Sequence, residues 1–186
     1  MNPTSNKSDF EDLTTNLKDL AYSYLEKYNP SKQQLKVFLL KKYLTKIKGG
    51  KSKREVTSII DQIVTNLEKT KILSDEVYSD SKARMFLRRG YSLNKINQSL
   101  RSKGIDQKYI KQSIDRIKEN KIEPDFVSAL KLCKRRRIGP LRPESNRELF
   151  YKKDMGILAR GGFSFDLSKR VLELDANEFK KLIKIV

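Results

Sequence analysis

Apolar residues recur three and four positions apart in a series of short segments along the chain. The clearest series lies in residues 72–121, where three such segments follow one another. Ser74 or Asp75 is expected to begin the first helix, because an oxygen side chain accepts the free N–H groups of a first turn. Gly90 is expected to end it, because glycine adopts the left-handed conformation of a helix end without a Cβ penalty.

The same signals mark two more helices in this series. Ser92 and Asp106 are expected to begin the second and third helices, and Gly104 separates them. Together the three helices form a unit of the length of a helical repeat. Ser31 holds the place of Ser92 in an earlier copy with similar apolar spacing, so residues 9–71 are predicted to be a first repeat.

The rest of the chain continues the pattern in looser form. A third repeat is predicted over residues 122–175, a last helix over 176–186, and a flexible polar arm over 1–8. The basic segment Thr45–Arg54 is expected to form a loop that lengthens the first repeat. No segment shows sustained strand-like alternation. We therefore expect an all-α protein, an elongated tandem array of three three-helix repeats similar to helix-turn-helix units, without a sheet.

Few residues suit catalysis. The chain has no histidine, and its single cysteine, Cys133, lies on an apolar helix face where we expect it to pack in a core. Asp75, Glu76 and Asp80 form the best carboxylate cluster, but carboxylates in a first helical turn usually complement the helix dipole. A metal-dependent nuclease built on these carboxylates is the enzymatic alternative. We expect a protein without enzymatic activity, cofactor or metal.

Positive charge dominates the composition, with 41 Lys and Arg against 23 Asp and Glu and a net charge of +18. Such an excess predicts attraction to nucleic acid or to an acidic protein surface. A single cysteine suits a reducing compartment. No apolar run approaches the roughly 18 residues of a membrane span, and the N-terminus lacks the apolar segment of a signal peptide. We expect a cytoplasmic monomer that does not bind membranes.

Basic residues cluster near the predicted helix ends. Four consecutive cations at 134–137 are the most distinctive group, since isolated lysines on a helix are usually only solvated. Arginine also forms the paired hydrogen bonds that suit phosphates and carboxylates. The candidate binding residues are Arg84, Arg88, Arg89, Lys95, Arg101, Lys103, Lys134, Arg135, Arg136, Arg137, Arg142 and Arg160.

Four motifs keep a regular order across the second and third repeats. They are S-D-E-V-Y at 74–78, R-R-G-Y-S with I-x-x-x-L-x-x-K-G-I within 88–105, R-R-R-I-G-P-L-R at 135–142, and L-A-R-G-G-F-S at 158–164. In this order they resemble the RecX family, which regulates the RecA recombinase. The resemblance covers about residues 17–173.

The resemblance implies a function as well as a fold. It implies three tandem three-helix repeats that lie in the groove of the RecA–single-stranded-DNA filament. There the protein would inhibit filament growth, ATP hydrolysis and strand exchange, in DNA repair, recombination and SOS control. The alternative is a sequence-independent nucleic-acid-binding protein that acts alone on free DNA. No compact catalytic motif comes with the resemblance, so the candidate binding residues rest on charge and position.

Overall fold

A computed structural model of the chain describes residues 5–47, 52–120 and 123–185. Within these ranges the chain forms ten α-helices and no strand, which confirms the all-α prediction. They are α1 (Ser5–Lys27), α2 (Lys32–Lys42), α3 (Lys53–Lys69), α4 (Asp75–Arg88), α5 (Leu93–Arg101), α6 (Gln107–Asn120), α7 (Pro124–Arg136), α8 (Glu144–Arg160), α9 (Phe165–Leu172) and α10 (Ala176–Ile185). A π-helical turn, Tyr43–Ile47, continues α2, and a 3₁₀ turn, Gly139–Leu141, precedes α8.

The predicted helix ends in the central segment are confirmed. The Ser74 and Ser92 hydroxyls accept hydrogen bonds from backbone N–H groups three residues later, at 3.3 and 3.0 Å. Gly90 and Gly104 have φ values of +74° and +75°, and each follows the last turn of a helix. Asp106 directly precedes α6. None of the described helices is both long and apolar enough to cross a membrane.

Two predictions in the N-terminal part need correction or fall partly outside the described residues. The basic segment Thr45–Arg54 is not a continuous loop, because its first residues belong to the π-helical turn and its last two begin α3. Ser52 caps α3 together with Glu55, whose side chain bonds back to the Ser52 N–H. Residues 48–51 and 1–4 lie outside the described residues, and α1 already begins within the predicted arm of 1–8.

The chain divides into two compact units. The first comprises Met1–Tyr78 with Lys103–Asp106, and the second Ser79–Ser102 with Gln107–Val186. Each contains its own cluster of buried apolar side chains. The boundaries at 9–71, 72–121 and 122–175 for three repeats stay a prediction.

The core of the first unit is built mainly on α3. Six side chains of this helix are buried, and burying each Val, Leu or Ile contributes about 1.5–3 kcal/mol relative to exposure. They are Val56, Ile59, Ile60, Ile63, Val64 and Leu67. In the second unit the corresponding cluster joins α7, the end of α8 and α9, and it includes the fully buried Leu130, Cys133, Leu158 and Val171.

The start of α2 is held by residues from much later in the first unit. The backbone N–H of Lys32 donates to Asp75 Oδ1 (2.9 Å), and the Ser31 hydroxyl donates to the Lys103 carbonyl oxygen (2.8 Å). Gly104 lies so close to α2 that a side chain there would overlap it. We call this set of contacts the first joint. Asp75, which the sequence assigned to the helix dipole, therefore also links the start of α4 to α2.

The start of α5 is held in the same way within the second unit. The Leu93 N–H donates to Asp125 Oδ1 (2.7 Å), and the Ser92 N–H donates to the Gly161 carbonyl oxygen (3.3 Å). Gly162, with a φ of +85°, lies against Ser92, and a Cβ there would overlap the serine hydroxyl. We call this set the second joint. An aspartate, a serine cap and a glycine turn thus occur in the same roles twice.

Both joints satisfy N–H groups that a helix leaves without a partner in its first turn. Ser31 and Ser92 are fully buried, so an unsatisfied polar group beside them would cost about 1–3 kcal/mol. Burial raises the pKa of the Asp75 carboxyl and of the Asp125 carboxyl above 3.8, although the bonded N–H groups act in the opposite direction. Each joint therefore combines a required hydrogen bond with a carboxylate that is costly to desolvate.

We expect Asp125→Ala to lower the free energy of unfolding by about 1–3 kcal/mol, because the Leu93 N–H loses its acceptor. Asp125→Asn keeps an oxygen acceptor and should cost less. Because the native pKa is raised, the native state binds the proton more tightly. The stability that this tighter proton binding contributes is complete below pH 3.8 and is lost as the pH rises through the raised pKa of Asp125. Asparagine does not titrate, so its stability relative to wild type should increase with pH in this window.

Urea unfolding at a series of pH values, followed by circular dichroism, measures these differences. Asp166→Ala is the matched control, because Asp166 lies in the first turn of α9 and is exposed. It reports the helix-dipole contribution alone, about 0.3–1 kcal/mol. Equal losses for Asp125→Ala and Asp166→Ala would show that the joint adds nothing to stability.

Two glycines of the second unit allow a direct test of the close approach at the second joint. Gly162→Ala should destabilise the protein by about 1–3 kcal/mol, because alanine is strained at a positive φ and its Cβ would overlap Ser92. Gly156→Ala should instead stabilise it by about 0.5–1 kcal/mol, since Gly156 lies inside α8 and a Cβ there would come no closer than 3.5 Å to Arg160. Thermal unfolding of both variants gives the signs, and a stabilised Gly162→Ala would contradict the joint geometry.

Candidate functional site: a cationic pocket

The predicted run of four cations lies at the C-terminal end of α7. Lys134, Arg135 and Arg136 form its last turn, and Arg137 follows in a left-handed conformation with φ of 53°. All four residues are exposed. Positive charge is favourable here because the last carbonyl groups of a helix carry a partial negative charge.

Two of these arginines line a cavity of about 360 Å³ within the second unit. Arg135 and Arg136 come from α7, Lys95 from the first turns of α5, and Arg160 from the last turn of α8. Tyr91, from the turn before α5, also lines the cavity. We call this cavity the cationic pocket. It brings together four of the twelve candidate binding residues from three separate helices.

The turn that carries Tyr91 reaches the pocket because Gly90 packs directly on α7. A Cβ at Gly90 would lie 2.9 Å from the Ser128 carbonyl oxygen and 3.0 Å from the Leu132 nitrogen, and the φ of +74° also disfavours other residues. The backbone of this turn therefore touches the backbone of α7. Leu132 itself is buried. Together with Ile157 it forms the apolar part of the pocket lining, which we call the apolar floor.

The second joint determines where Lys95 and Arg160 lie. Gly161, which accepts the N–H of Ser92, directly follows Arg160 at the end of α8. The same serine caps α5 through the N–H of Lys95. Because one buried serine contacts both segments, the two cationic side chains are brought to the same cavity.

The pocket is not neutralised by neighbouring acids. Among the described residues, none of its four cations forms a salt bridge with a carboxylate, and no Asp or Glu lines the cavity. Elsewhere cations do have carboxylate partners, as in the pairs Lys36–Asp61, Arg116–Asp80 and Arg170–Glu123. Unpaired arginines grouped at one cavity produce a positive potential that attracts an anionic ligand.

The remaining candidate residues lie outside the pocket lining. They are Arg84, Arg88, Arg89, Arg101, Lys103, Lys134, Arg137 and Arg142. Arg84 is exposed and lies 4.0 Å from Asp80, whose other cation is Arg116. Lys103 belongs to the first unit, where its carbonyl group takes part in the first joint.

The Arg142 side chain is held by contacts within the protein. Its Nε and one terminal nitrogen donate to the two Asp154 carboxylate oxygens at 2.6 and 2.7 Å, and its guanidinium lies 4.4 Å from the Phe150 ring centre. The Asp154 hydrogen bond raises the pKa of Arg142 further above its ordinary value. Asp154 is buried and also accepts the Gly139 N–H at 2.9 Å. We assign Arg142 to holding the turn before α8 and not to ligand binding.

Sequence reasoning missed Asp154 and the role of Asp125. A signal for Asp154 was present, because it lies four residues before Leu158, on the buried face of α8. A carboxylate in that position requires a partner, since burying an isolated charge is very costly. No comparable signal identified Asp125, whose partner is brought near only by the tertiary structure.

Among the described residues, Cys133 and the predicted carboxylate cluster do not form a second candidate site. Cys133 is fully buried, as predicted, and burial, with a smaller contribution from the Asp154 charge, raises the pKa of its thiol to about 12. Asp75 is bonded to the Lys32 N–H, and Asp80 to Arg116. In the described part of the chain, no three His, Cys, Asp or Glu residues are arranged to hold a metal ion.

Replacing Arg142 by alanine tests its structural assignment. The change leaves the Asp154 carboxylate buried without its cation, which should lower the free energy of unfolding by about 3–5 kcal/mol. Arg135→Ala removes an exposed guanidinium and should change stability by less than about 0.5 kcal/mol. Urea unfolding of both variants provides the comparison. A small effect for both would mean that Arg142 remains available for a ligand.

Known regulatory proteins are similar to this chain in sequence. No protein-family model matches the chain. It is 32% identical over 161 residues to the regulatory protein RecX of Myxococcus xanthus (strain DK1622), covering 86% of this chain and 85% of the relative. It is 25% identical over 129 residues to the regulatory protein RecX of Agrobacterium fabrum (strain C58), covering 69% and 67% of the two chains.

Solved structures show the same fold. One crystal structure of a regulatory protein RecX matches with a TM-score of 0.64 and 19% identity, covering 94% of this chain and 79% of the other. The crystal structure of RecX from Lactobacillus salivarius matches with a TM-score of 0.59 and 15% identity, covering 95% and 99%. Because the Myxococcus relative is 32% identical over most of both chains, the protein belongs to the RecX family of regulatory proteins.

Proposed function

We propose that the protein is a non-enzymatic negative regulator of RecA that binds the RecA–single-stranded-DNA filament. It inhibits filament growth, ATP hydrolysis and strand exchange, and it acts in the cytoplasm as a monomer. Membership of the RecX family supports this role. The observation that carries the contact to the filament is the cationic pocket, where Lys95, Arg135, Arg136 and Arg160 lack carboxylate partners among the described residues.

The physical basis of the proposal is charge complementarity. The net charge is +18, and a nucleoprotein filament carries the phosphates of its DNA. Attraction between such bodies speeds their encounter and weakens with salt, because the Debye length is only about 8 Å at physiological ionic strength. Specificity then requires fixed cations, which the second joint supplies by holding Lys95 and Arg160 at one cavity.

The direct test adds the purified protein to RecA, single-stranded DNA and ATP. We expect ATP turnover to fall as the protein is titrated. An unchanged turnover at saturating protein would contradict the proposal. Filaments assembled so that RecA covers all of the single-stranded DNA distinguish the alternative function, since a protein that acts only on free DNA should not inhibit them.

Charge reversal tests the α7 end in the same assay. Arg135→Glu, Arg136→Glu and Arg137→Glu together should weaken filament binding at least about tenfold, because three arginines that attract anions become repulsive. Circular dichroism should show unchanged helicity.

The matched control reverses Lys180, Lys181 and Lys184, three exposed lysines among the last six residues of α10. This control has the same change in net charge near another helix C-terminus, and it should retain most of the inhibition. Equal losses in both triple variants would show that only the net charge of the protein matters. A loss of helicity in the α7 variant would instead show that those arginines are structural.

A further inference from the structure

We propose that the cationic pocket is a subsite for one nucleotide of a single-stranded nucleic acid. The phosphate would bind Lys95, Arg135, Arg136 and Arg160, and the base would lie against Tyr91 and the apolar floor. The inference deepens the proposed function and rests on it for the setting, because it names the part of a filament that this pocket contacts. The binding chemistry itself requires no second protein.

The charges of the pocket suit a phosphodiester. Its four cations come from three helices, and no carboxylate lines the cavity. The arginines offer planar pairs of N–H donors that match the oxygens of a phosphate, and Lys95 adds a compact charge. Lys95 is half-buried, whereas Arg135, Arg136 and Arg160 are exposed. The cavity is therefore lined by one half-buried cation and three exposed ones.

The aromatic wall distinguishes a nucleotide from a simple anion. Tyr91 is half-buried and stacks on Phe86, with ring centres 5.2 Å apart and an angle of 3° between the planes. The Tyr91 N–H also donates to the Phe86 carbonyl oxygen at 3.1 Å. The ring is therefore held in a fixed orientation, with Leu132 nearby on the apolar floor. Proteins that bind single strands combine such aromatic surfaces with a positive groove.

An acidic peptide is the competing occupant. Its carboxylates would bind the cations, but they do not stack on an aromatic ring such as Tyr91, which Phe86 holds in place. A base uses both, because stacking on an aromatic side chain contributes about 1–3 kcal/mol per base. Because Tyr91 lines the cationic cavity and its ring is stacked on Phe86, the pocket favours a nucleotide over a carboxylate side chain.

The size of the cavity and base accessibility favour a single strand over a duplex. About 360 Å³ lies at the lower end of the roughly 300–1,000 Å³ found for small-molecule sites, which suits one nucleotide and not a helix of base pairs. In a duplex the bases are stacked and paired, so a protein ring cannot stack on one unless it is flipped out. An unpaired base meets Tyr91 without that cost.

The test measures binding of a short fluorescein-labelled oligothymidylate to the full chain by fluorescence anisotropy, without RecA. The variant Arg135→Gln/Arg136→Gln removes two pocket cations. The matched control Lys134→Gln/Arg137→Gln removes the same charge from neighbouring positions that do not line the pocket. Circular dichroism of both variants verifies that helicity is unchanged.

We expect the pocket variant to lose affinity by about 10- to 100-fold and the control by less than about threefold. The slope of log K against log salt should fall by about 0.7 in the pocket variant, since the pocket holds one phosphate and each lost single-strand phosphate contact removes about 0.7. Equal losses in the two variants would overturn the subsite, because binding would then depend on net charge alone.

Three further ligands and one variant test the base and the strand. An abasic phosphodiester oligomer of equal length and a thymidylate–adenylate duplex should bind more weakly than the single strand. Tyr91→Leu should reduce the affinity for the oligothymidylate but not for the abasic oligomer. Oligoglutamate of equal charge should bind weakly and with no preference between the pocket and control variants. Oligoglutamate binding that matches oligothymidylate and depends on Arg135 and Arg136 would assign the pocket to an acidic protein instead.

The same two double variants in the RecA ATPase assay separate this inference from the proposed function. If the pocket variant loses oligonucleotide affinity but the wild-type protein never inhibits RecA, the subsite stands and the proposed function fails. If the pocket variant binds oligothymidylate normally yet no longer inhibits, the proposed function stands and the nucleotide subsite is overturned.

Discussion

The packing of this protein depends on hydrogen-bond acceptors for the first N–H groups of two helices, α2 and α5. The first N–H groups of an α-helix have no acceptor inside the helix, and in α2 and α5 these groups lie beside buried serines. Asp75 and Asp125 supply the acceptors for Lys32 and Leu93. Because an unsatisfied buried N–H is costly, the helices can pack as they do only when residues from later in the chain reach these positions.

The same requirement explains the glycines beside the joints. A turn that approaches the first residues of a packed helix leaves no room for a side chain, and at Gly162 the turn also adopts a positive φ. At Gly90 a turn lies on the backbone of α7. Glycine in these turns increases the conformational entropy lost on folding, since its backbone has more freedom in the unfolded chain than that of other residues. In exchange, distant segments are held within hydrogen-bonding distance.

The candidate site follows from this packing. Lys95 and Arg160 lie on helices whose ends share contacts to Ser92, while Arg135 and Arg136 lie on the helix that Gly90 touches. The protein keeps these cations unpaired among its described residues, although it pairs Arg142 with a buried carboxylate a few residues away in the same unit. The contrast separates a cation used for stability from cations available to a ligand.

Most of the helices, and the ends of the central ones, could be predicted from the amino-acid sequence. Apolar spacing identified the buried face of α3, and oxygen side chains and glycines marked the limits of α4 and α5, because these effects act within one or two helical turns. The identity of Cys133 as a packing residue also followed from its position on an apolar face. Its motifs identified the family that its relatives confirm.

The tertiary structure was needed to show which polar groups contact one another. No sequence signal indicates that the Leu93 N–H bonds to Asp125. The position of Asp154 on the buried face of α8 indicates that it needs a partner, but the sequence does not identify Arg142 as that partner. The tertiary structure also divided the basic residues into a pocket set and a remainder, which charge and spacing alone could not do. The reason is physical: periodicity records which face of a helix is buried, but hydrogen bonding and electrostatics depend on distances between helices, which packing sets.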